Sequence, residues 1–357
     1  MEKSLNKTID VREGEELDPG AVDRAMKDRI EGLTGTPDIR QFASGHSNLT
    51  YSVRYGDRAF VLRRPPFGTK PKSGHSMIRE YRVMAALKPV FPAVPHTYFH
   101  MTEEESPLGA EFYVMEQVEG VKLGRDIPAD WHFGPKENRK LCDTFFNTLI
   151  DLHNVDYKAI GLDDFGKPEG YVERQISGWN RRYERALTDD VEPFEDVRQW
   201  LEEKRPAGEV GHAILHGDYR LDNVILNRDN PFRIEAILDW EISALGDPLM
   251  DLGNTLAYWS DDDDPDEIKA MRMQPCLNEG MMTRAEICEL YARRTGHDLS
   301  NFDFYLVYGV FRLAVILQQI YVRYKLGQTQ NPAFKGFGQQ VTILGNHARR
   351  LIEKSGM

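Results

Sequence analysis

The chain is poor in cysteine: Cys142, Cys276 and Cys288 are the three in 357 residues, and they show no paired spacing. That excludes a disulfide framework and a cysteine-built metal site, and it suits reduced thiols in a cytoplasmic protein. Positive charge is in deficit, with 45 Lys and Arg against 57 Asp and Glu and a net charge of −12. A nucleic-acid binder, which needs a basic face, is therefore not expected. Long apolar runs are missing save 304–322. That run carries Arg312, Gln318, Gln319 and three tyrosines, so it reads as a buried helix with no membrane association. Met1, Glu2, Lys3 and Ser4 lead into an acidic stretch, so no secretory signal is expected. The one biased tract, 261–264, is expected to be a solvated acidic loop.

What is present falls into two textures. Residues 1–15 read as a frayed tail. Asp18 and Pro19 open a helix, through the cap-then-proline pattern. Alternating runs at 39–44, 49–55 and 59–64 read as strands, with Tyr55-Gly56-Asp57 as a hairpin turn. A helix over 77–87 and strands over 97–102 and 112–118 complete a small antiparallel sheet. Residues 1–118 thus form a β-rich part. Residues 119–357 are helical by pattern, interrupted by a short hairpin. The class is α+β: a protein-kinase-like fold of two lobes, a small antiparallel sheet and a larger, mostly helical part.

That hairpin carries the strongest signal. His216-Gly217-Asp218-Tyr219-Arg220-Leu221-Asp222-Asn223 precedes the apolar run Val224-Ile225-Leu226, and a second run ends at Asp239-Trp240-Glu241. An Asp, an Asn five positions on, and a second Asp at a strand end form the base-and-metal set of phosphoryl transfer. Asp218 is expected to accept the proton of an attacking hydroxyl. Asn223 and Asp239 are expected to hold Mg2+ on the phosphates of ATP. Arg220 is expected to point back at the transferred group. His216 is expected to order the loop through its backbone, Asp247 to cap the next helix, and Asp251 to accept hydrogen bonds from the loop.

The β-rich part would supply the nucleotide contacts. Gly45, Ser47 and Asn48 lie in a turn between strands where backbone and short side chains can approach phosphate. Arg63 stands on the third strand as the phosphate-binding cation, with Arg64 pointed outward by parity. Glu80 is assigned as the partner of Arg63, ahead of Arg79 and Arg82 on its own helix. Met115 would back the adenine, and the backbone at Glu116 and Val118 would present an acceptor and a donor to it.

Taken together, His216-Gly217-Asp218 with Asn223, Leu238-Asp239-Trp240-Glu241 and Gly246-Asp247-Pro248 with Asp251 resemble the aminoglycoside phosphotransferase and choline kinase superfamily. Phe60-Val61-Leu62-Arg63-Arg64-Pro65-Pro66, Arg79-Glu80-Tyr81-Arg82-Val83-Met84 and Gly327-Gln328-Thr329 are similar to the branch found beside or fused to acyl-CoA dehydrogenases. The resemblance implies a kinase acting on an alcohol, with hydroxyacyl-CoA thioesters, notably 4-hydroxyacyl-CoA, as acceptors and a functional link to an acyl-CoA dehydrogenase. Aminoglycoside, choline or homoserine-type acceptors stay open, as does a catalytically silent scaffold. Two helices are candidates for the acceptor site. One carries Arg174, Trp179 and Arg182, the other Tyr308, Arg312 and Arg323, and their cations favour an anionic or neutral acceptor.

Overall fold

The computed structural model describes residues 8–43, 48–67 and 76–357. In chain order the elements are β1 (Thr8–Ile9), α1 (Pro19–Lys27), β2 (Asp38–Phe42), β3 (Leu49–Tyr55), β4 (Arg58–Arg64), α2 (Met77–Leu87), β5 (Thr97–Met101), β6 (Phe112–Glu116) and β7 (Val121–Lys122). Then come α3 (Pro135–His153), α4 (Tyr171–Arg185), α5 (Glu195–Glu203), β8 (Ala213–Leu215), β9 (Val224–Leu226), β10 (Ile234–Ile237) and β11 (Ala244–Gly246). The remainder is helical: α6 (Pro248–Ala257), α7 (Asp266–Ala270), α8 (Arg284–Thr295), α9 (Phe302–Lys325) and α10 (Phe337–Ser355).

The chain divides into two compact units. The first holds residues up to Lys122 together with 158–162 and 221–243. Its main sheet runs β1-β2-β3-β4-β6-β5, antiparallel throughout among the described residues. One face is apolar: Tyr51, Val53, Phe60, Leu62, Phe112 and Val114 pack with Val22, Ala25 and Met26 of α1. Asp18 caps that helix by accepting from the Gly20 N–H at 2.9 Å. On the other face Val61 lies opposite Met115, and Arg63 opposite Tyr113. Directly paired residues of an antiparallel sheet share a face, so these four side chains form one patch. The sequence division at 118/119 assigned 221–243 to the helical part. In the structure β9 pairs with both β10 and β7, and those hydrogen bonds draw the hairpin into the sheet unit. The expected tail is also corrected, because Thr8 and Ile9 pair with Phe42 and Gln41.

The second unit, 123–157, 163–220 and 244–357, is helical apart from the pair β8–β11. Its centre is the crossing of α6 and α9, where the helices meet glycine to glycine. A Cβ on Gly309 would stand 2.3 Å from the Gly253 carbonyl oxygen, and one on Gly253 would stand 2.3 Å from that of Tyr305. Glycine at both positions is what permits this approach. By length and composition α9 could cross a membrane, but 61% of its most apolar window is buried inside the protein. The acidic tract 261–264 is not a solvated loop throughout. Asp264 is buried and takes both arms of Arg284 at 2.9 and 2.6 Å, while Asp261 accepts from the Arg284 N–H. A fork-on-carboxylate pair of this kind can offset the desolvation of the acid.

Candidate functional site

In the sheet unit, the chemistry centres on Arg63. Its Nη1 donates to Glu80 Oε1 at 2.6 Å, and Nη2 lies 3.3 Å from Asp239 Oδ1 and 3.7 Å from Glu241 Oε2. Glu80 is therefore the partner of Arg63. Burial raises the Glu80 carboxyl well above its ordinary value, and Arg63 only partly offsets this. The carboxylates outweigh burial at Arg63 and hold the guanidinium charged. Asn48 donates from Nδ2 to Glu241 Oε2 at 2.9 Å, so the start of β3 is tied to the turn after Asp239. Gly45 and Ser47 lie outside the described residues. Arg64 is corrected: it is buried, not outward, with its guanidinium 3.8 Å from the Phe67 ring centroid and Nε donating to the Pro65 carbonyl. Its side chain takes the sheet face opposite Arg63, but the chain after β4 folds over it.

Asp239 sits in a left-handed turn at φ 70°, which turns its carboxylate out of the β10 line. The backbone bond from the Leu238 N–H to the Asn223 carbonyl, 2.8 Å, fixes that turn against the residue that precedes β9. Asn223 and Asp239 offer hard oxygen donors. Among the described residues no group of three or more His, Cys, Asp or Glu is arranged around a metal. One carboxylate and one amide suit Mg2+, which keeps waters and phosphate oxygens in its shell, and do not suit an all-protein metal cage. Met115 is buried on the Arg63 face, whereas Glu116 and Val118 line an open cleft of about 730 Å³ with Lys88, Pro92 and Arg233. The Glu116 side chain accepts from the His96 N–H at 2.6 Å, and its own N–H donates to the His96 carbonyl.

In the helical unit, the loop before Asp218 is held on every side. Asp251, wholly buried, accepts from the N–H groups of His216 and Gly217, both at 2.8 Å. Burial works against its charge, but hydrogen bonds from His153 and His216 hold its carboxyl below the ordinary range. His153 lies 3.2 Å from Asp251 through Nε2 and 2.7 Å from the Tyr291 hydroxyl through Nδ1. His153 was not expected from the sequence, because a single histidine on a helix carries no pattern. The Asp218 N–H donates to His216 Nδ1 at 3.2 Å, and Gly217 adopts φ 83°. Tyr219 is buried against Phe145 and donates to its carbonyl at 2.7 Å. With its neighbours fixed, the Asp218 carboxylate stays partly exposed at 23%, and Arg220 Nε lies 3.6 Å from it. The Arg220 guanidinium also covers the Tyr258 ring at 4.6 Å. Asp247 caps α6 at the Leu249 N–H, 2.8 Å, and burial lifts its carboxyl to about 6.

Four of the six acceptor candidates come together on α4 and α9. The Trp179 ring lies between two guanidinium groups, Arg182 at 4.5 Å and Arg312 at 5.2 Å. Its Nε1 donates to Gln175, which the Tyr308 hydroxyl also approaches at 3.5 Å. Arg174 and Arg323 are not part of this group. Arg174 donates to the carbonyls of Lys167 and Glu169, and Arg323 is exposed and donates to Gln319 on its own helix at 3.1 Å. Helical spacing aligned these positions, but a nearby backbone carbonyl captured each guanidinium.

Comparison with known proteins agrees with this geometry. The family model described as "Phosphotransferase enzyme family" matches residues 38–287. The chain is 33% identical over 339 residues to mouse acyl-CoA dehydrogenase family member 10, covering 93% of this chain and 31% of that protein. It spans less than half the length of the curated relatives it matches. A Ralstonia eutropha chain, solved as a provisional aminoglycoside phosphotransferase, superposes with a TM-score of 0.81 at 31% identity, over 95% of this chain and 99% of that one. The aminoglycoside phosphotransferase APH(4)-Ia, solved with ADP and hygromycin B, shares the fold at TM-score 0.55 and 14% identity, over 90% of this chain and 98% of that one.

Proposed function

Because the chain belongs to the phosphotransferase enzyme family, and is a kinase-type phosphotransferase, we propose that it moves the γ-phosphoryl group of ATP to the hydroxyl of a hydroxyacyl-CoA thioester. The observation that carries the catalytic half is Asp218: a carboxylate left accessible on a loop whose backbone is pinned by Asp251 and His216. As the acceptor oxygen bonds to phosphorus and the bond to the ADP oxygen breaks, Asp218 takes the hydroxyl proton. Positioning counts for more than base strength in such a transfer. Arg63 would meet the α- and β-phosphates, braced by Glu80. Asn223 and Asp239 would hold Mg2+, which would supply positive charge to offset that of the phosphates.

The acceptor half rests on charge. Arg182 is exposed, stacks on Trp179 and has no carboxylate within 4 Å among the described residues. A polycation such as an aminoglycoside would meet like charge there, while the anionic groups of a CoA thioester would meet opposite charge. Relatives named as acyl-CoA dehydrogenase family members support the same class and a functional link to such a dehydrogenase. The test is a panel of 4-hydroxyacyl-CoA, kanamycin, choline and homoserine, each with γ-labelled ATP and Mg2+. Label in the acyl-CoA product is the expected result. Preferential labelling of an amine would overturn the acceptor class and leave the kinase chemistry standing.

A further inference from the structure

Arg312 is 6% exposed, sits on the central helix α9, and has no carboxylate within 4 Å among the described residues. A buried cation without a counter-ion is costly, so the fold must use it for something. Its Nη2 donates to the Gly217 carbonyl at 3.0 Å, across 95 residues of sequence. That carbonyl belongs to the peptide whose nitrogen is Asp218, and the same peptide gives its N–H to His216 Nδ1. Both ends of the peptide plane are thereby fixed. The Asp251 bonds come one step earlier in the loop, at His216 and Gly217. Gly217 has a left-handed φ of 83°, so without a hold on its carbonyl this peptide could turn over at small steric cost. The remaining face of the guanidinium lies on Trp179, which Arg182 covers too. A ring face can carry a cation where no carboxylate is present.

We propose that Arg312 is a positioning residue: through the Gly217 carbonyl it sets the peptide that carries Asp218, with Trp179 as its counter-face. This rests on the reading of Asp218 as the proton acceptor. It assigns Arg312 to the loop and leaves Arg182 as the cation of that pair facing outward. An arginine is required because one planar group must donate along its edge and stack through its face, which lysine does only in part.

The test uses the full chain and two independent readouts. The first is amide hydrogen exchange over 213–220, which needs no acceptor. The second is steady-state transfer from ATP to 4-hydroxyacyl-CoA. In Arg312→Ala the Gly217 and Asp218 amides should exchange faster, and kcat should fall by about 10- to 100-fold, the scale of an ångström-sized misplacement, with the KM for ATP within about threefold. Arg312→Lys should restore part of both, and Trp179→Phe should keep most of the protection while Trp179→Ala loses it. If Arg312→Ala does not fold, the lysine and Trp179 variants decide by the same two measurements. Unchanged exchange in the variants overturns the proposal. So does a loss confined to the acceptor KM with kcat intact, which would make Arg312 a recognition group. If the parent enzyme does not phosphorylate 4-hydroxyacyl-CoA, the acceptor assignment falls while exchange still decides on Arg312.

Discussion

Two of the buried arginines, Arg63 and Arg312, one from each unit, solve the same problem in opposite ways. Arg63 in the sheet unit faces three carboxylates, Glu80, Asp239 and Glu241. Arg312 in the helical unit faces a carbonyl and an indole ring. Arg63 is surrounded by more negative charge than it can balance. In the proposed reading, Mg2+ and the phosphates of ATP would complete its surroundings. Arg312 is already engaged, and its neighbours need no ligand to hold it. The first should therefore govern substrate affinity and the second the rate of the chemical step.

Deleting the group that Arg312 supports should produce the largest effect. Asp218→Asn should cut turnover by about 10³-fold, within the range for removal of a positioned acid–base group, while ATP binding by calorimetry stays near that of the parent. Retention of more than about a tenth of turnover would remove Asp218 from the mechanism. The contrast sharpens with Arg63→Ala, which should raise the KM for ATP by about 100-fold, or ~2.7 kcal/mol, with Arg63→Lys recovering part. A drop in kcat at constant KM would break the division of labour between the two arginines. Asp239→Ala belongs with Arg63 and should abolish the Mg2+ dependence of ATP binding, read in the same titration with and without the metal.

Much of this was legible in the sequence. Asp218, Asn223 and Asp239 stand at spacings that few other chemistries require, and the Arg63–Glu80 pairing follows from strand parity and the following helix. Other features depend on partners far away in sequence. The two-residue strand Thr8–Ile9 is too short for any periodicity, and its existence depends on Gln41 and Phe42. Asp264 is buried because Arg284 reaches it, so a run of four aspartates misled as to solvation. Arg174 and Arg323 share helical stripes with Trp179, Arg182, Tyr308 and Arg312, yet backbone carbonyls hold them away. Glu241 gained its role only when Asn48 and Arg63 were seen to converge on it.

Another buried basic group extends the comparison, with the smallest effect. His347 on α10 is 4% exposed and lies 3.7 Å from Asp264, whose charge is already taken by Arg284. Burial pushes its pKa down to about 4, so it stays neutral in the folded chain. The unfolded chain takes up the proton first, near pH 6.5. Stability is therefore full above that pH and is lost as pH falls toward 4, by about 2 kcal/mol at pH 5. His347→Gln should flatten this part of the curve of Tm against pH. An unchanged slope would mean that His347 is protonated in the fold.

The central claim, a kinase whose acceptor is an anionic alcohol, is tested most directly by competition in one vessel. Equal concentrations of 4-hydroxyacyl-CoA and kanamycin are offered with limiting γ-labelled ATP and Mg2+, and the two products are separated by mass. Phosphate on the acyl-CoA hydroxyl, lost in the Asp218→Asn variant, is the predicted result. Phosphate on kanamycin in excess, or transfer that survives Asp218→Asn, would contradict it.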